Sequence, residues 1–303
     1  MSHPRMSRRD LMRRSALAGA LTLTPGVLLS ACGDGAPAAS NGNGNGNGED
    51  VPDDTLAAVQ EAGFIRVALA NEPPYTEVTG DGEVTGAAIE VPRAVLAHMG
   101  IDEVDGVVVQ YDAMIPGLQA GRFDLVTAGL FITPERCSEV IYSEPDVCGT
   151  ESFLVPEGNP LGLTNYASLV ENGAVVGVPG GSVEEEYAED AGVEDIEIIP
   201  DSVSGVEAVQ AGRIDAYALP SLSIQGLLES DPDGVEEVGP IDDVPVACAG
   251  AAFRPQDESF REAYNEALEA VKESGEFAEI LESFGFPADV AMETTAEQLC
   301  ETG

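Results

Sequence analysis

Short apolar runs alternate with helical patterns along this chain, and the alternation begins a second time near residue 174. The first series contains strand patterns at 64–69, 107–110 and 124–127, with helical patterns at 87–99 and 114–120 between them. Strands that alternate with helices form a largely parallel sheet whose faces are covered by those helices. The first series therefore predicts one α/β lobe.

The second series repeats this pattern over residues 174–229. It predicts strands at 174–178, 196–199 and 214–218, and helices at 183–191, 203–211 and 220–229. After it, the sequence predicts a strand at 246–253, an amphipathic helix at 257–274 and a short helix at 277–284. Two such series favour two α/β lobes over a single sheet.

The first 31 residues have the pattern of an export signal. Five arginines precede an apolar run at 16–29, which is shorter than the roughly 20 residues of a membrane span. The run ends in Leu29-Ser30-Ala31-Cys32, which resembles a bacterial lipobox, so we expect cleavage before Cys32 and a lipid on that cysteine. Residues 7–13 also resemble a twin-arginine signal, and both the twin-arginine route and the general secretory route remain open.

The segment at 32–54 is rich in Gly, Ala, Pro and Asn and is expected to be a flexible linker. The sequence thus predicts an extracytoplasmic body, beginning at residue 55, that contacts the membrane only through the lipid anchor.

The net charge of −42 excludes whole classes of partner. Five of the 13 basic residues and one of the 55 acidic residues precede Cys32, which leaves 8 basic and 54 acidic residues. Nucleic-acid binding requires a basic face, so we expect none. The acids are spread along the body, for example at 184–186 and 236–237. We interpret them as a solvated surface suited to high salt, and an ordinary acidic protein is the alternative. We expect neither a metal nor a cofactor.

Four cysteines follow Cys32, and an even number in an exported protein indicates disulfides. They are Cys137, Cys148, Cys248 and Cys300. Three pairings are possible, and we favour Cys137–Cys148, because it is local, together with Cys248–Cys300. No Cys-x-x-Cys pattern suggests zinc.

Several segments, taken in order, resemble the type II periplasmic solute-binding proteins, in the amino-acid-binding branch of ABC importers. The match covers about 56–286 and rests on residues 63–67, 72–75, 82–86, 114–124, 133–136, 143–145, 180–184 and 212–216. The resemblance implies a first lobe at 55–152 and 247–303, a second lobe at 153–246, and two hinge strands between them. It also implies a monomer that closes around a small solute and delivers it to ABC permease subunits.

The same resemblance assigns Arg136, in Thr-Pro-Glu-Arg, to the carboxylate of the ligand. A guanidinium group suits this role because it can make two parallel charge-assisted bonds. A surface ion pair is the alternative. Family members that bind free amino acids have an aspartate where this chain has Pro220, so an ordinary α-amino acid is disfavoured.

Where the resembled family has hydrogen-bonding groups along one wall of the site, this chain has aromatic and apolar residues. Tyr75, Tyr111 and Phe131 are predicted to form a box for a weakly hydrated cation, at about 0.5–2 kcal/mol per contact, and Glu72 is predicted to neutralise that cation. Core packing is the alternative for the aromatics.

These segments resemble the ectoine- and hydroxyectoine-binding components of ABC importers, whose small zwitterionic ligand carries an amidinium group beside a carboxylate. The resemblance adds Gly129 and the second-lobe loop Gly181, Ser182 and Val183 to the site. Val183 stands where a threonine is expected.

Two rival hypotheses remain open. One is a binding protein for another amino acid or for a betaine-like solute. The other is a dehydratase-type enzyme on the same fold, with Glu72 and Asp215 as candidate acids or bases. No histidine or lysine joins them in a recognisable motif, so we expect no catalytic residues and no enzymatic activity.

Overall fold

The computed structural model describes residues 54–302. The predicted signal peptide, Cys32 and nearly all of the predicted linker lie outside these residues. The strands are β1 Phe64–Leu69, β2 Glu77–Val78, β3 Val84–Thr85, β4 Glu103–Val108, β5 Leu125–Val126, β6 Ile141–Tyr142, β7 Val147–Gly149, β8 Glu151–Pro156, β9 Val176–Pro179, β10 Ile196–Ile199, β11 Ala216–Pro220, β12 Val235–Val238, β13 Ala247–Ala249 and β14 Ala252–Phe253.

The helices are α1 Thr55–Ala62, α2 Ala87–His98, α3 Tyr111–Gln119, α4 Pro134–Cys137, α5 Tyr166–Asn172, α6 Val183–Ala191, α7 Ser202–Gln210, α8 Ser221–Leu228, α9 Glu258–Ser274, α10 Glu276–Ser283, α11 Ala288–Glu293 and α12 Ala296–Thr302. Within the described part of the chain, no helix has the length and apolar character needed to cross a membrane.

The first five-stranded sheet has the order β4-β1-β5-β14-β6. Strand β1 pairs in parallel with β4 and β5, whereas β14 pairs antiparallel with β5 and β6. The predicted strands at 64–69 and 124–127 are confirmed as β1 and β5. The predicted strand at 107–110 is displaced, because the chain forms β4 at Glu103–Val108. This edge strand exposes Glu103 and Asp105, so its polar positions masked the apolar pattern.

The second five-stranded sheet has the order β10-β9-β11-β8-β12. Strands β10, β9 and β11 are parallel, while β8 is antiparallel to both β11 and β12. The second strand–helix series is therefore confirmed as a second α/β lobe. Strands β8 and β12 were missed by the sequence pattern.

The lobes are joined by an antiparallel pair of short strands, β7 and β13. Strand β7 leads from the first sheet into the second, and β13 leads back. Two lobes joined by two crossing strands form the predicted architecture. The proposed boundaries at 152/153 and 246/247 remain predictions, and β8, which begins at Glu151, belongs to the second sheet.

The predicted strand at 246–253 is divided in two. Strand β13 pairs with β7, and β14 pairs within the first sheet, with Gly250 and Ala251 between them. The division arises because the chain leaves the crossing pair and enters the first sheet at this point.

The favoured disulfide pairing is wrong. The structure contains Cys148–Cys248 and Cys137–Cys300. Cys148 and Cys248 lie directly opposite each other in the β7–β13 pair, and Cys300 on α12 reaches Cys137 at the end of α4. Both pairs join residues at least 100 positions apart, so tertiary contacts override the preference for local closure.

Helix α9 covers the first lobe with the face predicted from its period. Phe260, Tyr264, Leu268 and Val271 are buried along it. Arg254, just before α9, is also buried, and its guanidinium group is held by Asp257, Thr55 and backbone carbonyl groups. Arg254 therefore supports the first lobe and is separate from the cleft.

Candidate functional site

Arg136 lies where the two lobes meet. Helix α4 begins with Pro134 after the N-cap Thr133, whose hydroxyl group accepts the Arg136 N–H. Nη1 of Arg136 donates to the Phe131 carbonyl group at 2.7 Å, and Nη2 donates to the Gly181 carbonyl group at 2.9 Å. The second bond crosses from the first lobe to the second, so the guanidinium group helps to hold the cleft closed.

An aromatic wall continues from this arginine. The Tyr75 ring packs edge-on against Phe131, with centroids 5.9 Å apart, and against Phe286, with centroids 4.7 Å apart. Gly129 has φ of +65°, and a Cβ atom there would lie 2.9 Å from the Tyr75 ring. Only glycine tolerates both this positive φ angle and the close approach of the Tyr75 ring, which explains why a glycine occupies position 129 beside the aromatic wall.

Val183 closes the wall from the second lobe. It belongs to the same buried apolar cluster as Tyr75 and Phe131, although it begins α6 of the other lobe. A valine in place of the expected threonine therefore extends the apolar wall. Beside it, Ser182 caps α6 by accepting the Glu185 N–H, and the Gly181 N–H donates to the Glu185 carboxylate at 2.6 Å.

Glu72 lies in the cleft and is buried. Its Oε1 atom accepts from the Ser223 hydroxyl group of the second lobe at 3.1 Å, and the Tyr111 hydroxyl group lies 3.5 Å from Oε2. Burial and the nearby charge of Glu184 raise the pKa of Glu72 to about 8. Tyr111 also donates to the Ala128 carbonyl group at 3.2 Å, which fixes its ring beside Glu72.

Two cleft carboxyl groups were missed by the sequence analysis. Glu151, the first residue of β8, and Glu184, in the first turn of α6, are 1% and 3% exposed. The interpretation of 184–186 as solvated surface is therefore wrong for Glu184. Its helical spacing to Ala188, which is fully buried, could have placed it on the inner face.

Burial is also the main cause that raises the pKa values of Glu151 and Glu184 above the ordinary range for glutamate, and for Glu151 the neighbouring Glu184 adds to it. Pro220 lies directly opposite Glu151 in the β11–β8 pair. The contacts thus bring the ten predicted site residues into one region between the lobes, together with three residues that were not predicted: Glu151, Glu184 and Ser223.

Cavities open on both sides of this region. One of about 340 Å³ is lined by Tyr111, Arg136, Gly181 and Ser182, and one of about 180 Å³ is lined by Glu72 and Tyr217 among others. Both have walls from each lobe. In the described residues, no group of three or more His, Cys, Asp or Glu side chains is arranged to hold a metal ion.

Comparisons with known proteins agree with this architecture. The family model "bacterial extracellular solute-binding proteins, family 3" matches residues 65–287. A probable amino-acid ABC transporter periplasmic-binding protein of Sinorhizobium fredii is 34% identical over 259 residues, which cover 81% of this chain and 86% of the relative.

Two solved structures are also similar. The crystal structure of EhuB in complex with hydroxyectoine has a TM-score of 0.81 and 48% identity, covering 83% of this chain and 99% of that one. An ancestral amino-acid-binding protein, a precursor of cyclohexadienyl dehydratase, has a TM-score of 0.68 and 26% identity, covering 76% and 99%.

Proposed function

The chain belongs to the bacterial extracellular solute-binding proteins of family 3, and we propose that it captures ectoine or hydroxyectoine for an ABC importer. The observation that carries this proposal is a buried guanidinium group and a buried carboxyl group on either side of an aromatic pair. Arg136 bonds to the backbone of Phe131, and Glu72 belongs to the turn that holds Tyr75. A compact zwitterion with an apolar ring body fits this order of groups.

In the proposed complex, Arg136 binds the ligand carboxylate and Glu72 accepts N–H bonds from the amidinium group. Tyr75 and Phe131 contact the apolar ring of the ligand. Gly181 and Ser182 contribute from the second lobe, so that only the closed cleft makes all the contacts. Ligand binding then shifts the population toward closure. The 48% identity to EhuB, whose structure contains hydroxyectoine, supports this choice of ligand.

A cationic amino acid is the second candidate. The cleft contains three buried carboxyl groups and one buried guanidinium group, and a relative is described as a probable amino-acid ABC transporter periplasmic-binding protein. Against it, Pro220 offers no charge for an α-ammonium group. A betaine-like solute is the third candidate, because the aromatic wall suits any weakly hydrated cation.

Isothermal titration calorimetry with ectoine, hydroxyectoine, proline, glycine betaine and arginine tests the proposal. We expect ectoine or hydroxyectoine to bind with a micromolar or lower dissociation constant, and proline and betaine to bind at least tenfold more weakly. Absence of ectoine and hydroxyectoine binding at millimolar concentration, with arginine or betaine binding tightly, contradicts the ligand assignment while leaving the transport role intact.

We also propose that the protein is not an enzyme. Within residues 54–302, no histidine or lysine bonds to Glu72, and the carboxylate of Asp215 accepts the Val175 N–H at 2.9 Å, where it holds a strand end. Incubation of the protein with each bound solute, followed by mass spectrometry of that solute, should show no turnover. A new product that requires Glu72 contradicts this.

Lipid anchoring at Cys32 is part of the same proposal. A receptor that is attached beside its permease by a linker meets the transporter at a high effective concentration. Mass spectrometry of the membrane-extracted protein should show a diacylglyceryl-modified N-terminal peptide that begins at Cys32, and Cys32→Ala should release the protein from membranes. An unmodified peptide that begins elsewhere contradicts this prediction.

A further inference from the structure

We propose that Glu184 and Glu151 form the second-lobe half of the cation subsite, so that the cleft selects cations whose N–H bonds reach both lobes. This inference rests on the proposed role in solute capture, and it adds a selection rule. Cations with N–H bonds, such as amidinium and guanidinium groups, are accepted, and quaternary ammonium groups are rejected.

The position of Glu184 supports this role. It lies in the first turn of α6, immediately after Val183, whose side chain completes the aromatic wall. The Ser182 hydroxyl group and a backbone N–H hold its carboxyl group. After burial, its charge has the largest effect on Glu72, which belongs to the other lobe. The charges of Glu184 and Glu72, which belong to different lobes, are therefore close enough to act on each other.

Glu151 provides an independent observation. It is 1% exposed, and among the described residues no N–H or O–H group donates to its carboxyl oxygens; the carboxyl group of Glu184 lies within hydrogen-bonding reach of it. The Tyr75 hydroxyl group is likewise buried and without a partner in residues 54–302, and the carboxyl group of Glu151 is the charged group that acts on it most strongly. Buried acceptors normally have donors, so these oxygens indicate a binding position for a group rich in N–H bonds.

The sheet register directs Glu151 toward the ligand. In the antiparallel β8–β11 pair, Glu151 lies opposite Pro220, and residues opposite each other place their side chains on the same face. Pro220 occupies the position at which family members that bind free amino acids have an aspartate. The neighbouring strand β8 supplies an acid, Glu151, directly opposite this position.

The balance of charge indicates which ligand fits. Glu72, Glu151 and Glu184 are all buried, and the charge of Arg136 acts on Glu184. Like-charged carboxylates repel each other at close range, and either a proton or a cation between them removes the repulsion. An N–H cation also donates to the acceptors, whereas a quaternary ammonium group leaves them unpaired.

The test compares Glu184→Gln and Glu151→Gln with the wild type and with Glu194→Gln. Glu194 is an exposed acid of the same lobe, so its substitution removes the same charge away from the cleft. Calorimetry with ectoine and arginine as N–H cations, and with glycine betaine as the quaternary cation, gives the affinities. Thermal unfolding shows that each variant is folded, and Glu151→Gln serves if Glu184→Gln does not fold.

We expect the wild type to prefer an N–H cation over glycine betaine by at least tenfold. Glu184→Gln should weaken the N–H cation at least tenfold and leave glycine betaine unchanged or tighter, while Glu194→Gln should change neither. A purely structural role would weaken all ligands together.

Three results overturn the inference. They are equal binding of glycine betaine by the wild type, unchanged selectivity in both cleft variants, and no binding of any of the three solutes. If arginine binds, ectoine does not, and Glu184→Gln lowers the affinity for arginine, then the ectoine assignment fails while the selection rule stands.

Discussion

Gly181→Ala should weaken ligand binding by blocking closure of the lobes. Gly181 has φ of +74°, and a Cβ atom built on it would lie 2.5 Å from the backbone nitrogen of Asp112 and 2.7 Å from its Cα atom. Asp112 belongs to the first lobe and Gly181 to the second. Because ordinary carbon contacts begin near 3.4 Å, the loop must retreat by about 1 Å at this point.

The magnitude follows from the bond that this retreat breaks. Nη2 of Arg136 donates to the Gly181 carbonyl group at 2.9 Å, and a hydrogen bond from a charged group is worth about 1.5–3 kcal/mol. Loss of that bond in the closed form corresponds to roughly 10- to 150-fold weaker binding. The unfavourable backbone angle of alanine adds about 1–2 kcal/mol of instability, but it affects the open and closed forms alike and therefore cancels from the affinity.

Gly192→Ala is the matched control. Gly192 ends α6 in the same lobe with φ of +82°, and a Cβ atom there would meet no atom within 4 Å. Both variants should lose similar thermal stability, and only Gly181→Ala should lose affinity in calorimetry. If Gly181→Ala binds as tightly as Gly192→Ala, then the Gly181–Asp112 contact does not limit closure and the reasoning is refuted.

Three further predictions concern charge and covalent links. Arg136→Gln should weaken binding of a carboxylate ligand at least 100-fold. Arg136→Lys should weaken it less, because lysine keeps the charge but lacks the paired donors. Calorimetry measures both, and equal affinities of the two variants would contradict the prediction. Without ligand, burial and the charge of Glu184 raise the pKa of Glu72 from 4.5 to about 8 in this structure, so closure should become more favourable as pH falls through this window. The small-angle scattering radius should then shrink with acid in the wild type and shrink less in Glu72→Gln, in which the buried Glu151 and Glu184 still take up protons, whereas parallel profiles would refute the linkage. The double substitution Cys148→Ser and Cys248→Ser removes a disulfide between residues 100 positions apart. It should lower the free energy of unfolding, measured by guanidinium denaturation, by about 5 kcal/mol. A loss below about 1 kcal/mol would count against this prediction.

Local patterns in the sequence were sufficient for most of the elements. The period of α9 identified its buried face, because helical periodicity depends on residues within a few positions, whereas the short helix α4 was not predicted. The alternation of strands and helices identified two α/β lobes for the same reason. Where a strand lay at a sheet edge, as β4 does, polar residues weakened the pattern and shifted the predicted bounds.

Only part of the candidate site could be predicted from the sequence. Resemblance to a family directed attention to Arg136 and Glu72, and the structure places both in the cleft. Glu184 was misassigned because it stands in a run of three acids, and a run of charges is usually solvated. Its spacing to Ala188 is the one local signal of burial, and the neighbours that surround it, Glu151 and Arg136, are distant in the sequence.

The sequence alone thus determined the fold class, the two-lobed organisation and the choice of residues such as Arg136, because these follow from short-range periodicity and recognisable segments. Tertiary structure decided the Cys148–Cys248 and Cys137–Cys300 pairings, the division of the 246–253 strand, and the meeting of Glu151 with Glu184. Each of these depends on strand register or lobe packing between residues distant in the chain. Such contacts are selected by the burial of the whole core, and the local sequence does not specify them.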